Sequence, residues 1–156
     1  MDWETAAKLP WNVVILFGGG ISLAAALSAT GLAGWLGDQM SFAAVWPTAL
    51  LVLALVLFVI FLTELTSNVA TISAFLPVMA ALAVGAGVPA EQLIVPVAIA
   101  ASCAFMLPVA TAPNAIVYAS GRVEQAQMIK AGFRLNLLAA ILVAGVGALI
   151  GPIVFG

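Results

Sequence analysis

The sequence contains no histidine and a single cysteine, and its 156 residues include four Lys or Arg against six Asp or Glu. Without histidine there is no imidazole for a metal ion or for proton shuttling near neutral pH. Four basic side chains do not make the positive surface that nucleic acid requires, so no nucleic-acid partner is expected. The lone cysteine, Cys103, excludes an intrachain disulfide, and its place in an apolar run reads as a small core residue. The first ten residues, MDWETAAKLP, are acidic and lack the charged-then-apolar pattern of a secretory signal. An enzyme embedded in a membrane is disfavoured as well: there is no histidine, no activating setting for the thiol and no paired carboxylates near the polar stretch around Glu64.

What is present is hydrocarbon. Hydrophobic residues make up 65% of the chain and charged residues 6%, and the mean hydropathy is +1.29, the composition of an integral membrane protein. The apolar runs read as helices, giving an all-α membrane fold in one membrane domain over 1–156. The first run (11–30) is long enough to cross a hydrocarbon layer of about 30 Å. Its glycine triplet, Gly18 to Gly20, is open to two readings: close helix packing through small residues, or a hinge. Residues 31–46 mix Trp35, Asp38, Gln39 and Trp46 with small apolar residues, which suits a short interfacial helix or a loop.

The polar knot FLTELTSNVATISAFLP interrupts the next apolar stretch. It gathers Thr63, Glu64, Thr66, Ser67, Asn68, Thr71 and Ser73 between two apolar arms, so residues 47–87 read as a helical hairpin. A tip emerging in the cytoplasm would be expected to carry Lys or Arg. This tip has neither, which suits a re-entrant hairpin whose tip ends at depth beside a water-accessible cavity.

Residues 92–121 read as a membrane helix with a break. Pro108 and Pro113 lack N–H groups and clash with the preceding turn, and Ala112 is pushed from helical angles by the proline after it. Unwinding is therefore expected near Ala110 to Pro113, leaving carbonyls, the Thr111 hydroxyl and the Asn114 amide at mid-membrane depth. A charged stretch with Arg122, Glu124, Lys130 and Arg134 follows, then a last span (134–155). If the hairpin returns to the side it came from, Lys8, Arg122, Lys130 and Arg134 share one side. By the positive-inside rule that side, holding the N-terminus and residues 122–134, is cytoplasmic, and the protein is a multi-pass protein of the cell membrane. A fully spanning hairpin satisfies the rule equally.

A hairpin tip and a broken helix each bring carbonyl ends and amide ends together. Carbonyl ends attract a cation and amide ends an anion, so a site built from both suits a small cation beside an anionic ligand. Ser67 and Asn68 can cap the second arm and still face a carboxylate or sulfate. Carbonyl, hydroxyl and amide oxygens are hard ligands that suit sodium, and no cluster calls for another metal. Asn114 joins this oxygen set by its place after the break.

TELTSNVATISAFLPV and SCAFMLPVATAPNAIVYASG, with LPWNVVILFGGGISLAAALSATGLAGWLGDQM before them, resemble the C-terminal signature of the divalent anion/sodium symporter family. That family includes sodium-coupled dicarboxylate, citrate and sulfate carriers. The resemblance covers essentially the whole chain. It implies the C-terminal inverted repeat of an elevator-type carrier, each repeat holding a re-entrant hairpin and a broken helix, in a protein that is usually a homodimer. It implies that Ser67, Asn68 and Val69 stand at a Ser-Asn-Thr substrate motif and Thr111 and Ala112 at a Thr-Pro loop. Thr63, Thr66, Asn68 and Ala110 would then surround a co-transported Na+. Val69 stands where the family has a threonine and Ala112 where a proline is usual.

The resemblance also implies a longer protein whose N-terminal repeat, in the same or a partner chain, supplies the other half of the site. The expected function is thus part of a sodium-coupled symporter for di- or tricarboxylates or a related divalent anion, with no enzymatic activity. The alternatives are a membrane assembly subunit and a passive anion pore. Glu64 is left open between a carboxylate satisfied by packing and a protonatable or ion-coupling group.

Overall fold

The computed structural model describes residues 2–7, 11–32, 35, 38 and 46–155. Among these the elements are helices α1 (Trp3–Ala7), α2 (Trp11–Ala29), α3 (Thr48–Thr63), α4 (Asn68–Ala86), α5 (Ala90–Ala100), α6 (Ala112–Ala119) and α7 (Gln125–Phe155), with no strand. The all-α expectation therefore holds for the described residues. Helices α4 and α7 are long and apolar enough to cross a membrane, and α3 and α5 are shorter apolar helices. Lys8 and most of the expected interfacial segment, residues 33, 34, 36, 37 and 39–45, lie outside the described residues.

Helix α3 is apolar around its whole circumference, so its sequence selects no face. Tertiary packing selects one: Leu51, Val52, Val56, Val59, Ile60 and Thr63 are buried, at the spacing of a single helical stripe. Helix α7 packs along α3 and α5, and its buried residues Met128, Gly132, Asn136, Ala140 and Ala144 recur every fourth position and are mostly small. Small side chains on one ridge let backbones approach closely, as at Gly147, where an added Cβ would lie 2.7 Å from Pro96 Cγ. Helix α5 also packs on both arms of the hairpin, while α3 and α4 touch each other over little of their length. Leu93, Val97 and Ala100 join Val56, Val59, Ile60 and Leu82 in one core. Aromatic pairs Phe58–Phe75 (centroids 5.6 Å apart) and Phe61–Phe133 (5.9 Å) extend it towards the polar tip.

Three local features differ from the sequence expectations or refine them. Helix α2 runs unbroken through the glycine triplet, with no local unwinding, and a Cβ at Gly18 or Gly19 would meet open space, so no close helix contact is made at these two. The break in the 92–121 helix is longer than Ala110 to Pro113, because α5 ends at Ala100 and α6 begins at Ala112. Pro108 disfavours a helix through that stretch, and side chains elsewhere satisfy its freed backbone groups. The last helix begins at Gln125 and not near residue 134. At 31 residues it is about 46 Å long, so its charged first turns extend beyond the length a hydrocarbon layer needs.

The chain leaves α4 through Gly87, at φ +67°, whose N–H and that of Val88 return to the carbonyls of Val84 and Ala83. That left-handed exit is the reason a glycine stands there. Large apolar side chains along α7, such as Leu149 and Ile153 (82% exposed), face outward, as they do where lipid or further protein covers them.

Candidate functional site

The tip between α3 and α4 is knitted by its own hydroxyls. Thr71 Oγ1 lies 2.6 Å from Thr66 Oγ1, and Thr66 Oγ1 donates to the Leu62 carbonyl at 3.0 Å. Each hydroxyl has one proton, so the chain runs from Thr71 to Thr66 to Leu62. Ser67 takes the N-cap position of α4, but its hydroxyl makes no capping bond. The expected capping by Ser67 and Asn68 is therefore not made: Ser67 keeps an exposed, uncommitted hydroxyl, and Asn68 turns its side chain to Thr63. The first α4 amide with a backbone partner is Thr71 N, which donates to Ser67 O at 2.8 Å. The amides of residues 68–70 have no acceptor inside the helix, which leaves the α4 N-terminus partly positive.

Thr63, fully buried, ties the tip to the end of α5. Its Oγ1 donates to Asn68 Oδ1 at 2.7 Å and to the Ala101 carbonyl at 3.0 Å. One proton serves one acceptor well. With the Asn68 amide turned round, its nitrogen donates to Thr63, Thr63 donates to Ala101, and the Asn68 oxygen is left unspent.

The segment between α5 and α6 is held by side chains rather than by secondary structure. Glu64, 3% exposed, accepts from Met106 N at 2.8 Å and Leu107 N at 3.0 Å, one to each carboxylate oxygen. Asn136 Nδ2 of α7 also donates to Glu64 Oε1 at 2.8 Å, and Asn136 Oδ1 accepts from Phe105 N at 3.3 Å. From the α6 side, Asn114 Nδ2 donates to the carbonyls of Ala104 (2.9 Å) and Leu107 (3.0 Å). Thr111 caps α6, its Oγ1 accepting from Asn114 N at 3.3 Å.

These constraints bring the two interruptions together. An open cavity of about 460 Å³ is lined by Leu65, Thr66, Ser67 and Asn68 from the hairpin tip and by Val109, Ala110, Thr111 and Ala112 from the broken helix. Of the residues singled out in the sequence, Ser67, Asn68, Thr111 and Ala112 from the substrate set and Thr66, Asn68 and Ala110 from the sodium set line it. Thr63 stands one hydrogen bond behind Asn68. Val69 is partly exposed on the first turn of α4 and Asn114 is spent on backbone carbonyls, and neither lines the cavity. The N-termini of α4 and α6 both begin at its wall, offering amide charge to an anion, while uncommitted oxygens of Ser67 and the tip offer ligands to a hard cation.

Asn136 was not singled out, although a lone amide inside LNLLAAILVAGVGALIG is the type of signal that marks a polar role in an apolar span. Leu65 and Val109 carried no such signal. Glu64 takes the structural side of its two readings in one respect, since both carboxylate oxygens are engaged by neutral donors.

Residues 1–156 match the family described as the sodium:sulfate symporter transmembrane region. The chain is 46% identical over 156 residues to the sodium-dependent dicarboxylate transporter SdcS of Staphylococcus saprophyticus, and 49% and 48% identical to SdcS from two strains of Staphylococcus aureus. Each comparison takes in 100% of this chain and 30% of the relative, so the chain spans under a third of the length of these curated relatives. With its whole length matched, this chain belongs to the sodium:sulfate symporter family.

Proposed function

We propose that this chain forms part of a sodium-coupled symporter for a dicarboxylate or a related divalent anion, with Na+ as the co-transported ion. The observation that carries the proposal is the cavity where residues 65–68 meet residues 109–112, with two helix N-termini and several oxygen ligands at one place. The names of the relatives, sodium-dependent dicarboxylate transporters, favour a four-carbon or similar dicarboxylate over a monovalent anion. In this proposal Ser67, Asn68, Thr111 and Ala112, with the Val69 backbone, contact the anion. Thr66, Asn68 and Ala110 contact sodium, with Thr63 behind them, and Asn114 acts by shaping the loop.

The hairpin over 47–87 is re-entrant, and the helices form the C-terminal inverted repeat of an elevator-type carrier in the cell membrane. Arg122, Lys130 and Arg134, exposed on or near the start of α7, then face the cytoplasm. An N-terminal repeat supplies the other half of the site, and two complete carriers pair as a homodimer. Uptake of labelled succinate by proteoliposomes holding this chain joined to the part of the carrier it does not span tests the proposal. Uptake should require sodium and should fall when Ser67 or Thr111 is replaced by a bulky apolar residue. Absence of sodium dependence for every dicarboxylate, citrate and sulfate would overturn it, and a current at a fixed reversal potential without coupling would point to a pore.

A further inference from the structure

We propose that Glu64 and Asn136 are positioning residues for the transport site, acting as a clamp on residues 105–107 and touching neither ion nor substrate. The proposal deepens the symporter reading and rests on it. Three consecutive backbone N–H groups, of Phe105, Met106 and Leu107, are taken up by these two side chains alone. Pro108 follows at once and offers no N–H of its own, and the segment lies outside any helix. The wall of the cavity, Val109 to Ala112, is its direct continuation. Moving the segment therefore moves the wall.

The clamp is built from three elements distant in sequence. Glu64 and Asn136 stand 72 positions apart, and Glu64 reaches 42 and 43 positions to its backbone donors. Helix α7 is shaped to receive the segment: one turn before Asn136, a Cβ at Gly132 would lie 2.6 Å from Met106 Cα and closer still to the Phe105 carbonyl oxygen. Glu64 is buried and does not line the cavity, and its three donors are all neutral. A carboxylate with every strong contact made to amides has its oxygens spent within the protein, which suits it to holding backbone and not to binding sodium.

Two measurements on the complete carrier test this, one independent of transport. Hydrogen exchange of the peptide covering 105–107 should quicken about tenfold or more in Glu64→Gln and in Asn136→Ala, the weight of one charge-assisted bond. Exchange unchanged in both would overturn the clamp whatever the protein carries. In uptake, the same variants should raise the half-saturating sodium concentration about tenfold with the amount of carrier in the membrane and the sodium stoichiometry unchanged. A purely structural role would lower only the amount, and a changed stoichiometry would make Glu64 an ion ligand; either result overturns the proposal. Loss of sodium dependence in the wild type would count against the proposed function alone, since the exchange measurement still decides the clamp.

Discussion

Replacing Gly132 by Ala should destabilise the protein, while the same change at Gly145 in the same helix should not. At Gly132 the new methyl would lie 2.6 Å from Met106 Cα, and its other close neighbours are the carbonyl atoms of Phe105, so all three are backbone. Carbon atoms prefer about 3.5 Å or more, so the 105–107 segment would have to retreat by about 1 Å. A retreat of that size carries the bonds from Met106 N (2.8 Å) and Leu107 N (3.0 Å) to Glu64 past the limit of a useful hydrogen bond. Overpacking costs about 1–3 kcal/mol and a weakened bond to a buried charge about 1.5–3 kcal/mol. Alanine returns up to about 1 kcal/mol in helix propensity. The net expectation is a loss of about 3 kcal/mol for Gly132→Ala. At Gly145 nothing lies within 4 Å of the added methyl, so only the propensity gain remains. Thermal unfolding of the purified carrier, followed by circular dichroism, should therefore move in opposite directions for the two variants. Equal midpoints, or a shift of the same sign in both, would refute the close approach of the segment to α7.

Three more outcomes follow from the site. Thr63→Val keeps shape but leaves the buried Ala101 carbonyl without its donor and frees Asn68; it should cost about 1–3 kcal/mol and raise the sodium concentration needed for uptake, read by unfolding and sodium titration. Ser67→Ala removes a hydroxyl that makes no capping bond, so stability should stay within about 0.5 kcal/mol, unlike a usual N-cap loss, while the KM for dicarboxylate rises in uptake assays. Thr111→Ala should cost about 1 kcal/mol through the lost cap on α6 and raise KM, and Thr111→Ser should recover both; failure of serine to rescue would assign the effect to the methyl group.

The membrane setting, the polar tip and the proline-bearing break were legible in the sequence because each depends on what a residue is. Hydropathy is a property of single side chains summed along a run, and a proline lacks its backbone N–H wherever it stands. The pairing of Ser67 and Asn68 with Thr111 and Asn114 was expected from two interruptions near one depth; Ser67, Asn68 and Thr111 share the cavity wall, while Asn114 stands off it, bound to the carbonyls of Ala104 and Leu107. The length of the break was not legible, since Ala101 to Leu107 carries only one proline-free stretch of ordinary apolar text. What holds it open is Glu64, Asn114 and Asn136, contacts from outside the segment.

The same division explains the rest. The sequence by itself determined that α3 is buried in something apolar, but Val, Leu, Ile and Phe surround it, so no pattern marked the face that packs on α5 and α7. It set a carboxylate at the tip without a cation beside it in the chain, and left its partner open. Only the tertiary structure brought the amides of Met106 and Leu107 and the side chain of Asn136 to Glu64. Hydrophobicity belongs to one residue at a time, whereas a hydrogen bond needs two groups at about 3 Å with the right direction, and folding alone supplies that distance.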